Sequence, residues 1–164
     1  MSIADSVAAA SAYLAEHPEE ARYRDAAATA RLTEGLVTSV TGPGGESLRT
    51  DMPTGIGGTA SMPSPGWYLR AAAASCVASL IAIRAASTGV ITGPIEVTVD
   101  SESDDRGILG LGEDVPAGAL SMQIVVSIEG VRPEVARSLA DWGLRHCPVT
   151  DTVSRPVPVT LEIR

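Results

Sequence analysis

The stretch "LRAAAASCVASLIAI", Leu69–Ile83, decides the fold of this chain. It consists almost entirely of small and aliphatic residues, with one cysteine, Cys76, in its middle. A helix that is apolar around its whole circumference must be surrounded by protein, whereas a helix lying on a sheet needs only one apolar face. The stretch therefore predicts a buried central helix from about residue 66 to residue 87, which Gly89 ends.

The segments on both sides of this helix follow simpler patterns. Upstream, Leu32, Leu36 and Val40 alternate along one predicted strand, residues 29–40, which a turn at Gly42–Gly45 joins to residues 46–51 as a β-hairpin. Downstream, the same alternation predicts two strands, a helix that begins at Pro133 and ends before Pro148, and an edge strand at residues 157–163. Together these patterns predict an α+β fold: an antiparallel sheet with a central buried helix that carries Cys76.

The N-terminal residues 2–25 predict a helix of their own. Ser2 and Asp5 have the spacing of a capping box, and apolar residues recur at helical intervals after them. Pro18 breaks this helix, and a short helical turn is expected to follow it.

Charge and composition exclude several classes of function. The net charge is −8, and the 12 basic residues, all of them arginine, are scattered along the chain. Nucleic-acid and anionic-membrane binding both need clustered positive charge, so neither partner is expected. The N-terminus has no signal-peptide pattern, and the longest apolar run is too short to span a bilayer. We therefore expect a cytoplasmic protein whose cysteines are reduced at rest.

The residues alone leave two interpretations of the cysteines open. Cys76 lies in a dry helix and Cys147 at the C-terminal end of another, so both are candidates for buried fillers. Alternatively, Cys76 is a reactive thiol and Cys147 is the resolving thiol, which forms a disulfide with Cys76 after its oxidation. Burial raises the pKa of a thiol, and the C-terminal end of a helix disfavours a thiolate, so a reactive thiol would need a positive partner such as arginine.

Other polar residues point to no further chemistry. His146 and Cys147 are neighbours on a helix and so project about 100° apart, which argues against a Cys–His pair. No histidine or cysteine has metal-ligand spacing, and the acidic run at residues 100–105 lacks the pattern of a calcium loop. The glycine clusters lack the lysine and the fixed spacing of phosphate loops. Neither a metal nor a cofactor is expected.

The order and spacing of three motifs are more specific than any one of the motifs alone. The double-glycine loop and helix start at residues 55–76 place Cys76 eleven residues after Pro65. A "DDRGILGLGEDVPAG" loop follows, and "HCPV" then precedes the last predicted strand with Cys147. In this order and spacing the motifs resemble the OsmC/Ohr family of thiol-dependent peroxide reductases. The resemblance covers residues 28–164 and leaves residues 1–27 as an N-terminal helical extension.

The resemblance implies an intertwined homodimer with its active site near the subunit interface. In the family chemistry the Cys76 thiolate would attack an organic hydroperoxide and become a sulfenic acid. Cys147 would then form a disulfide with it, which an external dithiol reduces. The family stabilises the thiolate with an arginine, for which Arg31 is the nearest candidate and Arg49 a weaker one. A glutamate after the helix-start proline holds that arginine in the family, and this chain has Gly66 there.

Because Gly66 stands where the family has a glutamate, a second function is an alternative. An OsmC-like protein without peroxidase activity would bind a small apolar or thiol-reactive ligand in the interfacial pocket. The retained pair of cysteines favours the enzyme, and the missing glutamate favours the binding protein. A structural dimer with inert cysteines is the third and most remote alternative.

Overall fold

The computed structural model describes residues 2–163 and has the predicted α+β class with antiparallel sheets. The chain divides into two compact units, Ala9–Leu69 and a second formed by Met1–Ala8 with Arg70–Arg164. The predicted division at residue 27 stays a prediction. The helices are α1 Ile3–Glu16, α2 Pro65–Ser87, α3 Asp105–Ile108, α4 Pro133–His146 and α5 Pro148–Ser154, and the strands are β1 Thr29–Glu34, β2 Val37–Thr41, β3 Ser47–Thr50, β4 Ile95–Glu102 and β5 Ser121–Ile128.

The N-terminal helix α1 begins at the predicted capping box. The Ser2 amide donates to Asp5 Oδ2 at 3.0 Å, and the Asp5 amide donates to Ser2 Oγ at 3.1 Å. Each residue thus satisfies one amide that the first turn of a helix leaves unpaired. A 3₁₀ turn, Pro18–Ala21, follows as expected.

The upstream strands form a three-stranded antiparallel meander, β1–β2–β3. The predicted long first strand of the hairpin is wrong, because the chain turns at Gly35 and makes two strands of it. Gly35 has a φ of 55°, a left-handed conformation that glycine adopts without steric cost. The alternation of Leu32, Leu36 and Val40 could not reveal this turn, since it continues across the break.

The loop between β3 and α2 is organised by a buried carboxylate. Asp51 is 1% exposed and accepts hydrogen bonds from the amide and hydroxyl of both Thr59 and Ser61, and from the Met52 amide. These hydrogen bonds, that of the Thr59 hydroxyl first, hold the pKa of Asp51 far below its usual range. Gly58 allows the loop to fold this tightly, because a Cβ there would lie 1.8 Å from the Met52 carbonyl oxygen.

The central helix α2 is buried along one stripe. Its buried residues are Ala73, Val77, Ile81 and Ala85, which recur every fourth position. Its composition had predicted a helix surrounded by protein on all sides. Within one chain the described residues bury only this stripe. By length and composition alone α2 could also cross a membrane, although core helices of soluble proteins meet the same criterion.

The strands β4 and β5 confirm the alternation seen downstream. They pair in antiparallel register from Ile95 opposite Ile128 to Glu102 opposite Ser121. Every second residue of each strand is partly buried, and this face packs against the hydrophobic core beside α2 and α4. The loop between the strands contains the single-turn helix α3, which the sequence had not indicated.

The C-terminal residues differ from their prediction in two ways. Pro148 ends α4 as expected, but it is also the first residue of α5, which was not predicted. The predicted edge strand at residues 157–163 is absent from both sheets of the described chain. Val159, Leu161 and Ile163 are 89, 88 and 87% exposed. An alternating sequence becomes a strand only where another strand edge can pair with it.

Candidate redox site

The helices α2 and α4 approach closely at Gly143. A Cβ at this position would lie 2.7 Å from Ile81 Cγ1 and 3.3 Å from the Ile81 amide nitrogen. Carbon atoms in van der Waals contact normally lie about 3.5–4.0 Å apart, so only glycine permits this approach. Cys147 follows Gly143 by four residues and is drawn toward the same face of α2.

The two cysteines, 71 positions apart in sequence, meet at this contact. Cys147 is fully buried in the cluster that includes Val77, Ile81 and Leu139, and the half-buried Cys76 packs against it. Both thiols are free, and each lies close enough to the other to alter its pKa. The structure therefore brings together the two residues that the resemblance paired, while their redox roles stay predictions.

Cys147 lies at the junction of α4 and α5 and caps the second of these helices. The Thr150 amide donates to Cys147 Sγ at 3.5 Å. The Thr150 hydroxyl, at 3.0 Å from the Leu144 carbonyl oxygen and 3.2 Å from that of Cys147, holds the turn together. The expectation that Cys147 lies only at the unfavourable end of a helix was wrong, because it also lies at the amide-rich start of another.

The thiols differ in their proton affinities. Burial raises the pKa of Cys76, and the neighbouring Cys147 thiol raises it further, against a smaller opposing effect of the Val149 amide. Burial also raises the pKa of Cys147, but the neighbouring Cys76 thiol and Thr150 outweigh burial, so its pKa is lowered. Each thiol therefore influences the proton affinity of the other.

Arg31, the predicted activator, lies on the exposed strand β1 in the unit Ala9–Leu69. It is opposite Ser39 of β2, and Arg49 of β3 is opposite the same serine. Directly paired residues share a face of a sheet, so both arginines project on one side. Within residues 2–163 the Arg31 side chain forms no hydrogen bond or ion pair, and its role stays a prediction.

His146 is engaged away from the cysteines. Its Nδ1 lies 2.8 Å from the Trp142 carbonyl oxygen, and its ring stacks on the Trp142 ring with centroids 4.1 Å apart. The Arg84 guanidinium also lies over the Trp142 ring, 5.2 Å from its centroid. The sequence reasoning missed the stack, although the four-residue spacing of Trp142 and His146 is a signal for it.

A cavity that the sequence did not predict opens between α4, β5 and α2, with a volume of about 480 Å³. Its apolar walls include Val77, Ile124 and Leu144, and its charged residues are Arg137 and Asp141. This volume lies within the range of small-molecule sites.

Potential ligand atoms of His17, Glu19 and Glu20 also lie within 4.8 Å of one another on the surface. Exposed carboxylates often meet in this way without an ion, so we assign no metal to them.

Comparisons with known proteins place the chain among related folds. The family model described as OsmC-like protein matches residues 58–162. An OsmC-like protein from Mycoplasma pneumoniae is 16% identical with a TM-score of 0.69, over 81% of this chain and 89% of that one. An organic hydroperoxide resistance protein from Legionella pneumophila is 17% identical with a TM-score of 0.66, over 80% and 90%. One from Elizabethkingia anophelis, with thiocyanate bound, is 21% identical with a TM-score of 0.66, over 80% and 89%. A sequence comparison with curated proteins gave no match.

Proposed function

Because the chain belongs to the OsmC-like protein family, we propose that it reduces organic hydroperoxides with Cys76 and Cys147. Cys76 is the peroxidatic thiol, which becomes a sulfenic acid when it attacks the peroxide. Cys147 is the resolving thiol, which forms a disulfide with it, and an external dithiol restores the pair. A reducing compartment such as the cytoplasm supplies that reductant.

The observation that carries this proposal is that Cys76 packs against the buried cluster that contains Cys147. A sulfenic acid is safe from further oxidation only if a second thiol reaches it quickly, and here that thiol lies in the same cluster. Cys76 is half-buried among apolar residues, which suits an apolar peroxide better than a charged oxidant. Two of the compared folds are named as organic hydroperoxide resistance proteins, which supports the same substrate class.

The working form that we propose is a homodimer. The helix α2 is 23 residues long and apolar throughout its middle, yet only four of its residues are buried in one chain. The alternating apolar residues Val159, Leu161 and Ile163 are likewise almost fully exposed. Surfaces of this kind mark sites that another protein covers, and a second copy of the chain would cover both.

The arginine that assists Cys76 is a further part of the proposal. Arg31 and Arg49 flank Ser39 on one face of the three-stranded sheet, so either is a candidate for the positive charge. Gly66 supplies no carboxylate that could fix either guanidinium. We therefore expect the assistance to be weaker than where an arginine is held in place, since an unfixed side chain must first be ordered.

A second candidate function is binding of a small apolar ligand without peroxide chemistry. The cavity between α4, β5 and α2 favours it, because its volume and apolar walls suit such a ligand. Gly66 favours it as well, because the chain lacks the glutamate that the resemblance implies. On this alternative the cysteines are packing residues of the core.

Counting thiols distinguishes the two functions. The reduced protein is treated with one equivalent of cumene hydroperoxide, quenched at intervals and titrated for free thiols. The enzyme should lose both thiols together and yield one intramolecular disulfide per chain, which a dithiol then reverses. In the Cys147→Ser variant the disulfide cannot form, and dimedone should trap a sulfenic acid on Cys76.

The matched control is Cys76→Ser, which keeps Cys147 and should consume no peroxide. Retention of both thiols over minutes in the wild-type protein would eliminate the enzyme in favour of the binding protein.

A further inference from the structure

Cys147 occupies a one-residue turn between two helices. It is the C-cap of α4 and the N-cap of α5, and its backbone is extended, with φ −77° and ψ 114°. Pro148 follows it and has no amide with which α4 could continue. The Cys147 side chain is fully buried in the core cluster, against which Cys76 of α2 packs. The direction of the Cys147 sulfur therefore depends on how α5 is joined to α4.

The Thr150 side chain joins the two helices at this turn. Its hydroxyl lies 3.0 Å from the Leu144 carbonyl oxygen of α4 and 3.2 Å from the Cys147 carbonyl oxygen, so it donates across the junction. The Thr150 amide donates to Cys147 Sγ at 3.5 Å. One residue thus contacts both the backbone and the sulfur of Cys147.

The neighbouring hydroxyls of α5 have a different use. The Thr152 hydroxyl donates to the Pro148 carbonyl oxygen at 2.7 Å, and the Ser154 hydroxyl donates to that of Asp151 at 3.1 Å. Both of these hydrogen bonds stay within α5. Of the three hydroxyls, that of Thr150 is the one that reaches α4.

We propose that Thr150 is the positioning residue of the resolving step, because its hydroxyl holds Cys147 in the direction from which the sulfur reaches an oxidised Cys76. This inference rests on the proposed peroxide reduction and adds a residue to its second half. A disulfide forms only in a narrow geometry, with the Cβ atoms about 3.5–4.5 Å apart. A misplacement of about 1 Å lowers the rate of a well-oriented reaction by as much as about 10²-fold. A turn that fixes the Cys147 sulfur therefore determines how quickly the disulfide closes.

The step that Thr150 assists is the condensation of a sulfenic acid with a thiol. The Cys147 sulfur attacks the Cys76 sulfur as its own proton leaves, an S–S bond forms, and the S–O bond of the sulfenic acid breaks. The departing hydroxide takes up the proton and becomes water. The Cys147 sulfur is oxidised and the Cys76 sulfur is reduced, so no further reactant is needed. Thr150 exchanges neither protons nor electrons and acts only through the position of Cys147.

Removal of the hydroxyl should leave the junction folded. Thr150→Val keeps the backbone amide that caps Cys147 Sγ. The Leu144 carbonyl oxygen still accepts the Cys147 amide at 3.4 Å, and the Cys147 carbonyl oxygen still accepts the Asp151 amide at 2.9 Å. Because neither acceptor loses its last donor, the variant tests the position of Cys147 and not the cost of an unpaired polar group.

The test separates the two steps in a single turnover with one equivalent of cumene hydroperoxide. Peroxide consumption measures the attack by Cys76, and alkylation after an acid quench measures disulfide closure. Thr150→Val should consume peroxide as fast as the wild type but close the disulfide roughly 10–10²-fold more slowly, so that dimedone traps more sulfenic acid on Cys76. Thr150→Ser restores the hydroxyl and should close the disulfide at nearly the wild-type rate.

The matched control is Thr152→Val, which removes a hydroxyl of the same helix whose hydrogen bond stays within α5. It should leave the rates of both steps unchanged. Circular dichroism checks that each variant is folded. Thr150→Ala also lacks the hydroxyl and takes the place of Thr150→Val if the valine variant does not fold.

The outcomes separate this inference from the proposed function. A wild type that retains its thiols in the presence of peroxide overturns both. A reactive wild type whose Thr150→Val variant closes the disulfide equally fast overturns the positioning role alone. Equal slowing of both steps in Thr150→Val, equal slowing of closure in Thr152→Val, or no recovery in Thr150→Ser also overturns it, because the hydroxyl would then have no specific effect on Cys147.

Discussion

The close approach of α4 to α2 at Gly143 predicts a measurable cost for a single methyl group. In Gly143→Ala the new Cβ would lie 2.7 Å from Ile81 Cγ1, roughly 1 Å inside normal contact. Ile81 is fully buried and belongs to the core cluster, so it has no open space into which to move.

The expected magnitude follows from two opposing effects. Overpacking of a core contact costs about 1–3 kcal/mol. Because the new Cβ would lie only 2.7 Å from Ile81 Cγ1, we expect a cost in the upper half of that range. Replacing glycine by alanine inside a helix gains about 1 kcal/mol. The free energy of unfolding of Gly143→Ala should therefore fall by about 1–2 kcal/mol. Urea denaturation at a fixed protomer concentration measures it, because the proposed dimer makes stability depend on concentration.

A double-mutant cycle tests the cause of this loss. In an Ile81→Ala background the obstructing Cγ1 is gone, so Gly143→Ala should be neutral or stabilising by up to about 1 kcal/mol, the helix-propensity gain alone. Equal destabilisation in both backgrounds would refute the assignment to Ile81. Stabilisation of the wild-type background would refute the close approach itself. Disulfide formation between Cys76 and Cys147 should also slow in Gly143→Ala, since the same contact positions Cys147.

Three further predictions concern other parts of the chain. Asp51→Asn should lower stability at pH 6. The pKa of Asp51 is depressed in the folded state. The difference in the free energy of unfolding between Asp51→Asn and wild type should therefore shrink as pH falls below about 3.9, the pKa of aspartate in the unfolded chain. Urea midpoints at several pH values measure it, and a difference independent of pH would contradict the role of the carboxylate. Leu161→Asp should shift sedimentation of the protein from dimer to monomer if a second copy covers the exposed C-terminal segment, whereas an unchanged dimer would remove that segment from the interface. Arg31→Gln should slow alkylation of Cys76 by iodoacetamide more than Arg49→Gln does if Arg31 is the activator, and the reverse order would assign that role to Arg49.

Local patterns in the sequence were sufficient for several elements. The capping box of Ser2 and Asp5, the alternation of β4 and β5 and the start of α4 at Pro133 all depend on residues within a few positions of one another. The family was also recognisable, because the spacing from Pro65 to Cys76 and the "HCPV" element are short-range features.

Two local predictions failed for reasons that lie outside the local pattern. The long first strand divides at Gly35, because a left-handed residue interrupts a strand whose alternation continues beyond it. The alternating residues 157–163 join no sheet of the described chain, because pairing needs a partner edge as well as a suitable sequence.

The chemistry of the cysteines was decided by tertiary structure alone. The sequence determined that two thiols are present and that one lies in an apolar helix, but nothing local could show that they lie close together. Their proximity depends on α4 packing against α2 at Gly143, far from Cys76 in sequence. The unpredicted helix α5 then supplies the Thr150 amide to Cys147. Proton affinity is set by the donors and the burial around a sulfur, and these come from segments that only the folded chain brings together.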